Sequence, residues 1–197
     1  MKDMDSLLAQ VLAFRPNRLV PPFDLQGHIP FVAWLVKELQ PATFVQLGTQ
    51  SGNLYFAACQ TVAENSLPTR CWAVGTWQAE ELAQHHSVQQ EPGASDYNRQ
   101  HFGAFSGLLR MGDAQALPRF APGSIDLLLI DGRYSPETVR NEYESWRDRL
   151  SDHAVVLLVG IEQADSGAAV LWQQLQAQYP HLAFAHAQGL GVLAVGR

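Results

Sequence analysis

The sequence predicts an α/β fold: a mainly parallel sheet of seven strands, helices on both faces, and an antiparallel hairpin at the end. Three observations predict it. Short apolar runs of four to eight residues alternate with helical patterns, as βαβ units require. Two of the runs, IDLLLI and AVVLLV, are apolar almost throughout, which fits strands buried on both faces. The last two runs, 181–187 and 189–197, have only a short turn around Gln188–Gly189 between them. A parallel pair would need a crossover of a dozen or more residues, so these two strands must run antiparallel.

The elements follow in order. Residues 4–14 carry Leu7, Leu8, Val11 and Leu12 at helical spacing, and a proline-marked loop runs from Pro16 to Pro22. A second helix is expected over His28–Leu39, with Phe31, Leu35 and Leu39 on one face and Pro41 ending it. TFVQLG (43–48) is the first strand and Asn53–Glu64 the helix after it. Further strands are expected at 71–77, 107–113, 124–132 and 153–160, with helices at 136–150 and 166–179. The stretch 85–100, HHSVQQEPGASDYNRQ, is polar and holds Pro92 and Gly93, so it reads as an inserted loop, either a lid or a plain solvated connection. Residues 1–40 are read as a helical extension and 41–197 as the α/β domain.

Composition narrows the function. The 197 residues suit one domain with a helical preface, large enough to bury a core without disulfides or metal. The net charge is -6, and no run of Lys or Arg forms a stripe, which argues against electrostatically driven nucleic-acid binding. Cys59 and Cys71 form no CxxC pair, and the seven histidines show no ligand spacing, so no metal site is expected. The acidic, amphipathic start lacks the basic head and apolar stretch of a signal peptide. No stretch reaches the roughly 18 apolar residues of a membrane span, so a cytoplasmic protein is expected.

Candidate site residues cluster at strand ends, where ligands of open α/β sheets bind. VQLGTQSG (45–52) closes the first strand and opens a helix. Gly48 and Gly52 permit a tight turn and close backbone approach to a ligand, and the exposed N–H groups there suit a carboxylate or phosphate oxygen. This loop matches neither the dinucleotide fingerprint nor the phosphate loop, which counts against a nucleotide-sugar or dinucleotide enzyme. Gly75-Thr76-Trp77, Gly112-Asp113-Ala114 and Asp131-Gly132 should converge on the same crevice. Trp77 either stacks on an adenine or packs internally. Asp113 either accepts from an adenine amino group or caps the next helix. Asp131, at a strand's carboxyl end, is the leading catalytic candidate.

From about Phe44 to Gly196 the sequence resembles the class I S-adenosylmethionine-dependent methyltransferases, in particular the methyltransferase type 24 group. The resemblance is carried by FVQLGTQSGNLYFAACQTV, CWAVGTW, GSIDLLLIDGRYSPETVRNEYESW, AVVLL, LWQQLQAQYP and GLGVLAVG, by their order and spacing together. It implies a Rossmann-like sheet with S-adenosylmethionine as cofactor. The loop from Gln46 through Gly48 and Thr49 to Gly52 would hold the methionine part. Gly75, Thr76 and Trp77 would face the ribose, and Gly112, Asp113 and Ala114 would border the adenine. Asp131 would lie near the sulfonium and the acceptor. Relatives often accompany glycan-modifying enzymes, so the implied acceptor is a small-molecule or glycan hydroxyl.

Four departures cut the other way. Gln46 stands where the family has an acid, Gly75 where relatives hold both ribose hydroxyls with Asp, and Tyr134 where they carry His. Val159-Gly160 replaces a frequent His-Asp pair. Losing one charged hydrogen-bond partner costs about 1.5–3 kcal/mol. Two readings therefore stand: an active O-methyltransferase using Asp131 as base, with Tyr134, Glu162 and His186 behind it, or a catalytically degenerate binding module. The N-terminal helices are expected either to cover the crevice or to form a homodimer contact.

Overall fold

The computed structural model describes residues 11, 13–49, 51–75 and 93–196. The first predicted helix lies almost wholly outside them, as do Thr76, Trp77 and the stretch 85–92. Seven strands form one sheet: β1 (Thr43–Leu47), β2 (Arg70–Val74), β3 (Ser106–Leu109), β4 (Ile125–Asp131), β5 (Leu150–Val159), β6 (His181–Phe184) and β7 (Leu190–Ala194). Their order is β3-β2-β1-β4-β5-β7-β6. The first five are parallel, and β7 runs antiparallel to both β5 and β6, so the expected hairpin is present with its second strand tucked inside.

The chain goes from β1 outward to β3, then returns to place β4 on the other side of β1. That reversal opens a crevice at the carboxyl ends of β1 and β4. Every residue of β4 is buried, as its unbroken apolar run predicted. Below the crevice, buried Asp126 accepts from the Ala42 and Thr43 amides at 2.7 and 3.3 Å and fixes the entry into β1.

Helices α1 (Ile29–Leu39), α2 (Asn53–Glu64) and α3 (Ala94–His101) cover one face of the sheet. The short α4 (Asp113–Ala116), α5 (Pro136–Trp146) and α6 (Gly167–Leu175) cover the other. Ser135 and Ser166 cap α5 and α6 by accepting from Thr138 N and Ala169 N. Helix α2 is buried along Asn53–Val62, so it lies under other chain on both sides. Cys59 on this helix and Cys71 on β2 are free and buried.

Several element bounds differ from expectation. The loop expected over 85–100 is helical from Ala94: Ala94 and Tyr97 give it an apolar stripe, and buried Asn98 donates to Ser106 O at 3.1 Å. Its polar average hid that stripe. The third strand ends at Leu109 rather than 113, because Gly112 caps α4 and draws 110–112 out of the ladder. The helix expected over 136–150 ends at Trp146 and tightens into a 3-10 turn over Arg147–Arg149, and β5 begins at Leu150. The helix expected to reach 179 stops at Leu175.

Candidate active site

The glycine loop has the backbone its sequence demands. Gly48 and Gly52 adopt φ of 71° and 74°, the left-handed region that a side chain rarely enters. A Cβ on Gly48 would lie 3.0 Å from Asp131 Cβ and 3.4 Å from the Tyr134 ring, so the β1 turn and the β4 end touch. Gly48 N donates to Val74 O at 3.1 Å, and Gly75 N donates to Leu109 O at 3.2 Å. The carboxyl ends of β1, β2, β3 and β4 thus form one continuous rim.

A narrow cleft opens at β1 and β4. Gln46, Gly48, Thr49 and Asp131 line it, with Leu25 and Arg133. Gln46 is buried, and its Oε1 finds no hydrogen-bond partner among the described residues. An unpaired buried amide oxygen costs about 1–3 kcal/mol, so its place beside a cleft marks it as an acceptor awaiting a donor. Gly75, Gly112, Asp113 and Ala114 do not line this cleft. A Cβ on Gly75 would meet only Thr49 N at 3.8 Å among the described atoms, so that position has room for a side chain. Asp113 is the first residue of α4, with Gly112 as its cap, and Ala114 is exposed.

The sequence reading missed Arg133. Its Nε and one terminal nitrogen each donate to a different Asp131 oxygen at 2.8 Å, a bidentate pair, and its other terminal nitrogen bonds Asp24. Gln188 Nε2 donates to the same Asp24 oxygen at 3.0 Å. A charged residue directly after Asp-Gly at a strand end was the available signal. Both oxygens of Asp131 are therefore engaged.

Tyr134 stands at the mouth, 46% exposed. Burial of part of its ring and the charge of Asp131 raise its pKa, so it keeps its proton. Beyond it, Glu142 bonds Asp113. Burial and the Asp113 charge push Glu142 up to about 8, so this carboxyl pair shares a proton at neutral pH. Glu142 also escaped the sequence reading. Glu162 and His186, the remaining base candidates, lie elsewhere: Glu162 N donates to Gln188 O, and His186 packs against His28.

The segment before α1 runs along α2 beside the crevice. Asn53 and Gln60, a helical i and i+7 pair on α2, read its backbone like strand partners. Asn53 accepts from Val20 N at 3.0 Å and donates to Val20 O at 2.7 Å. Gln60 accepts from Asn17 N at 2.8 Å and donates to Arg15 O at 2.9 Å. Arg18 donates to Ser51 O at 2.6 Å and lies over the Phe56 ring. Further along the segment, Leu25 lines the cleft.

A family model described as a methyltransferase domain matches residues 45–158, more than half of the sequence. The chain belongs to the methyltransferase domain family. The match begins on β1 and ends on β5, so it spans the crevice and the parallel half of this methyltransferase domain. A protein of Sinorhizobium fredii, the uncharacterised y4gI, is 37% identical over 195 residues, which is 98% of this chain and 21% of that protein. The chain thus spans about a fifth of the length of that relative. Among solved structures, a methyltransferase from Geobacter sulfurreducens is similar with a TM-score of 0.64 at 14% identity, covering 100% of this chain and 91% of that one. The O-methyltransferase TomG of Streptomyces achromogenes, involved in tomaymycin synthesis and solved with S-adenosylmethionine, has a TM-score of 0.63 at 12% identity over 99% of this chain and 92% of its own. A Podospora anserina methyltransferase solved with S-adenosylhomocysteine has a TM-score of 0.63 at 13% identity, over 96% and 87%. At these identities the likeness is one of fold.

Proposed function

We propose that this methyltransferase domain uses S-adenosylmethionine to methylate a hydroxyl of a small-molecule acceptor, with a glycan hydroxyl as one acceptor class. The observation that carries this reading is the unpartnered Gln46 Oε1, buried beside a cleft between β1 and β4. The residues present fit the cofactor at its amino-acid end. Gln46 would accept from the cofactor's ammonium, in place of the acid that relatives carry. The left-handed turn at Gly48 would let backbone approach closely, and Thr49 and Gly52 would complete the cradle. Gly75, Thr76 and Trp77 would face the ribose, and Gly112, Asp113 and Ala114 the adenine. At the ribose the fit is looser, since Gly75 offers space but no carboxylate.

When bound, S-adenosylmethionine supplies an electrophilic methyl group. The protein then has to position an acceptor in line with it and take one proton. Tyr134 holds its proton and stands at the mouth, so it donates to the acceptor and orients it. Asp131 is the proton acceptor, through the lone pair that its Oδ2 keeps beyond the bond to Arg133. The bidentate Asp131–Arg133 pair also favours a second reading: a catalytically degenerate domain that serves as a binding or assembly module, with a weakened or absent cofactor site.

A calorimetric titration with S-adenosylhomocysteine tests the proposal. Micromolar binding supports it, and no binding at millimolar ligand leaves the second reading. Gly75→Asp sharpens the result: a tenfold gain in affinity, about 1.4 kcal/mol, is expected if that strand end faces the ribose. An unchanged affinity would displace that strand end from the site.

A further inference from the structure

The Arg133 guanidinium holds two carboxylates, and the two are not equivalent. Asp131 takes the Nε edge with both oxygens at 2.8 Å, lies two residues away on the same turn, and is almost fully buried. Asp24 takes the remaining terminal nitrogen from a separate segment, and its side chain is 26% exposed. The arrangement carries one negative charge in excess, in a half-buried cleft where an unneeded charge is costly. Asp131 is fixed by strand β4. Among the described residues Asp24 is held by Arg133 and Gln188, in a short stretch between the anchors at Pro22, whose carbonyl accepts from Asn53 at 3.4 Å, and at His28. Leu25, its neighbour, forms one wall of the cleft, so any movement of Asp24 widens the cleft.

We infer that Arg133 is a carboxylate-binding residue of the cleft, and that Asp24 is an internal stand-in which a ligand carboxylate displaces. The donor set fits the claim: one guanidinium face stays bonded to Asp131, and the outward nitrogen changes partner. Displacing Asp24 loosens residues 23–25 and opens the cleft on the side of Leu25, while His28 stays anchored to Ala187 O. The carboxylate belongs either to the amino-acid end of the cofactor or to the acceptor. That choice rests on the proposed function, whereas the carboxylate site does not.

Hydrogen exchange of the full chain tests it. The amides of Gln26 and His28 bond Phe23 O and Leu25 O at 3.1 and 3.0 Å, so they report on this segment. Asp24→Ala should speed their exchange about tenfold, and formate at tens of millimolar should restore protection where chloride at equal ionic strength does not. Asp24→Asn, which keeps the side chain's size, should behave in the same way. Unchanged exchange in both variants overturns the inference, as does a rise that formate fails to reverse or that chloride reverses equally. In the wild type, S-adenosylhomocysteine and 5′-methylthioadenosine then separate the sources. Faster exchange with the first alone assigns the carboxylate to the cofactor. Binding of both without any change assigns it to the acceptor. If neither nucleoside binds, the proposed function fails while the formate result still decides the site.

Discussion

Gln46 sits in the middle of β1, paired with Ala73 of β2 and Leu129 of β4, where an apolar residue would pack without penalty. Its retention there costs stability and so points to binding. Gln46→Leu is expected to stabilise the unliganded protein by about 1 kcal/mol, read as a higher urea midpoint, while weakening S-adenosylhomocysteine at least tenfold. A variant that gains stability and keeps its affinity would remove Gln46 from the site. At this scale the sequence was partly legible. Gly48 and Gly52 announce their turn because only glycine tolerates that backbone. Asp131 announces itself by ending an apolar run. Arg133, Asp24 and Glu142 stayed hidden because their importance lies in partners distant in sequence: Arg133 and Asp24 are 109 residues apart.

At the scale of elements, the segment before α1 and the turn between β6 and β7 meet beside the crevice, through His28–Ala187 and Asp24–Gln188. Asn53 and Gln60 join that segment to α2. Asn53→Ala should cost about 1–3 kcal/mol in urea unfolding and speed exchange at Val20, whose amide it holds. Equal stability would mean that the segment is anchored without it. The turn side of the same contact is sensitive to pH. His28 is fully buried, bonds Ala187 O at 3.0 Å through Nε2, and faces His186 with ring centroids 4.7 Å apart. Burial, aided by His186, lowers its pKa to about 4. The folded state therefore resists a proton that the unfolded chain accepts near 6.5. Stability should fall as pH drops from 6.5 towards 4, by up to about 3 kcal/mol from this residue. His28→Gln should flatten that slope in urea midpoints measured across the range, and an unchanged slope would assign it to other groups. Helix existence was readable from periodicity, and Asn53–Glu64 was placed to the residue. Helix α3 was not, since Ala94 and Tyr97 give too thin an apolar stripe within a polar average. Nothing local signalled that the 15–28 segment lies along α2, because side chain-to-backbone bonds leave no periodic trace.

At the scale of the whole molecule, strand order matters more than any single motif. Alternating strands and helices gave the parallel sheet, and the short connection at Gln188–Gly189 gave the antiparallel end. The reversal between β1 and β4 then gathers the glycine loop, Asp131 and Tyr134 at one edge. A second, larger depression of about 850 Å3 lies at Arg70, Trp72, Arg119 and Phe120, away from that edge. No local pattern hints at it, because its walls come from β1, β2, β3 and the turn before β4. The family resemblance and the fold agree on which edge carries chemistry, yet the fold alone does not assign an activity.

That placement is best tested by following backbone and side-chain amide resonances during titration with S-adenosylhomocysteine. The account predicts saturable shifts at Gly48, Thr49, Gly75 and the Gln46 side-chain amide, with Trp72 and Phe120 unmoved. Shifts centred on Arg70, Trp72 and Phe120, or none at millimolar ligand, would contradict it.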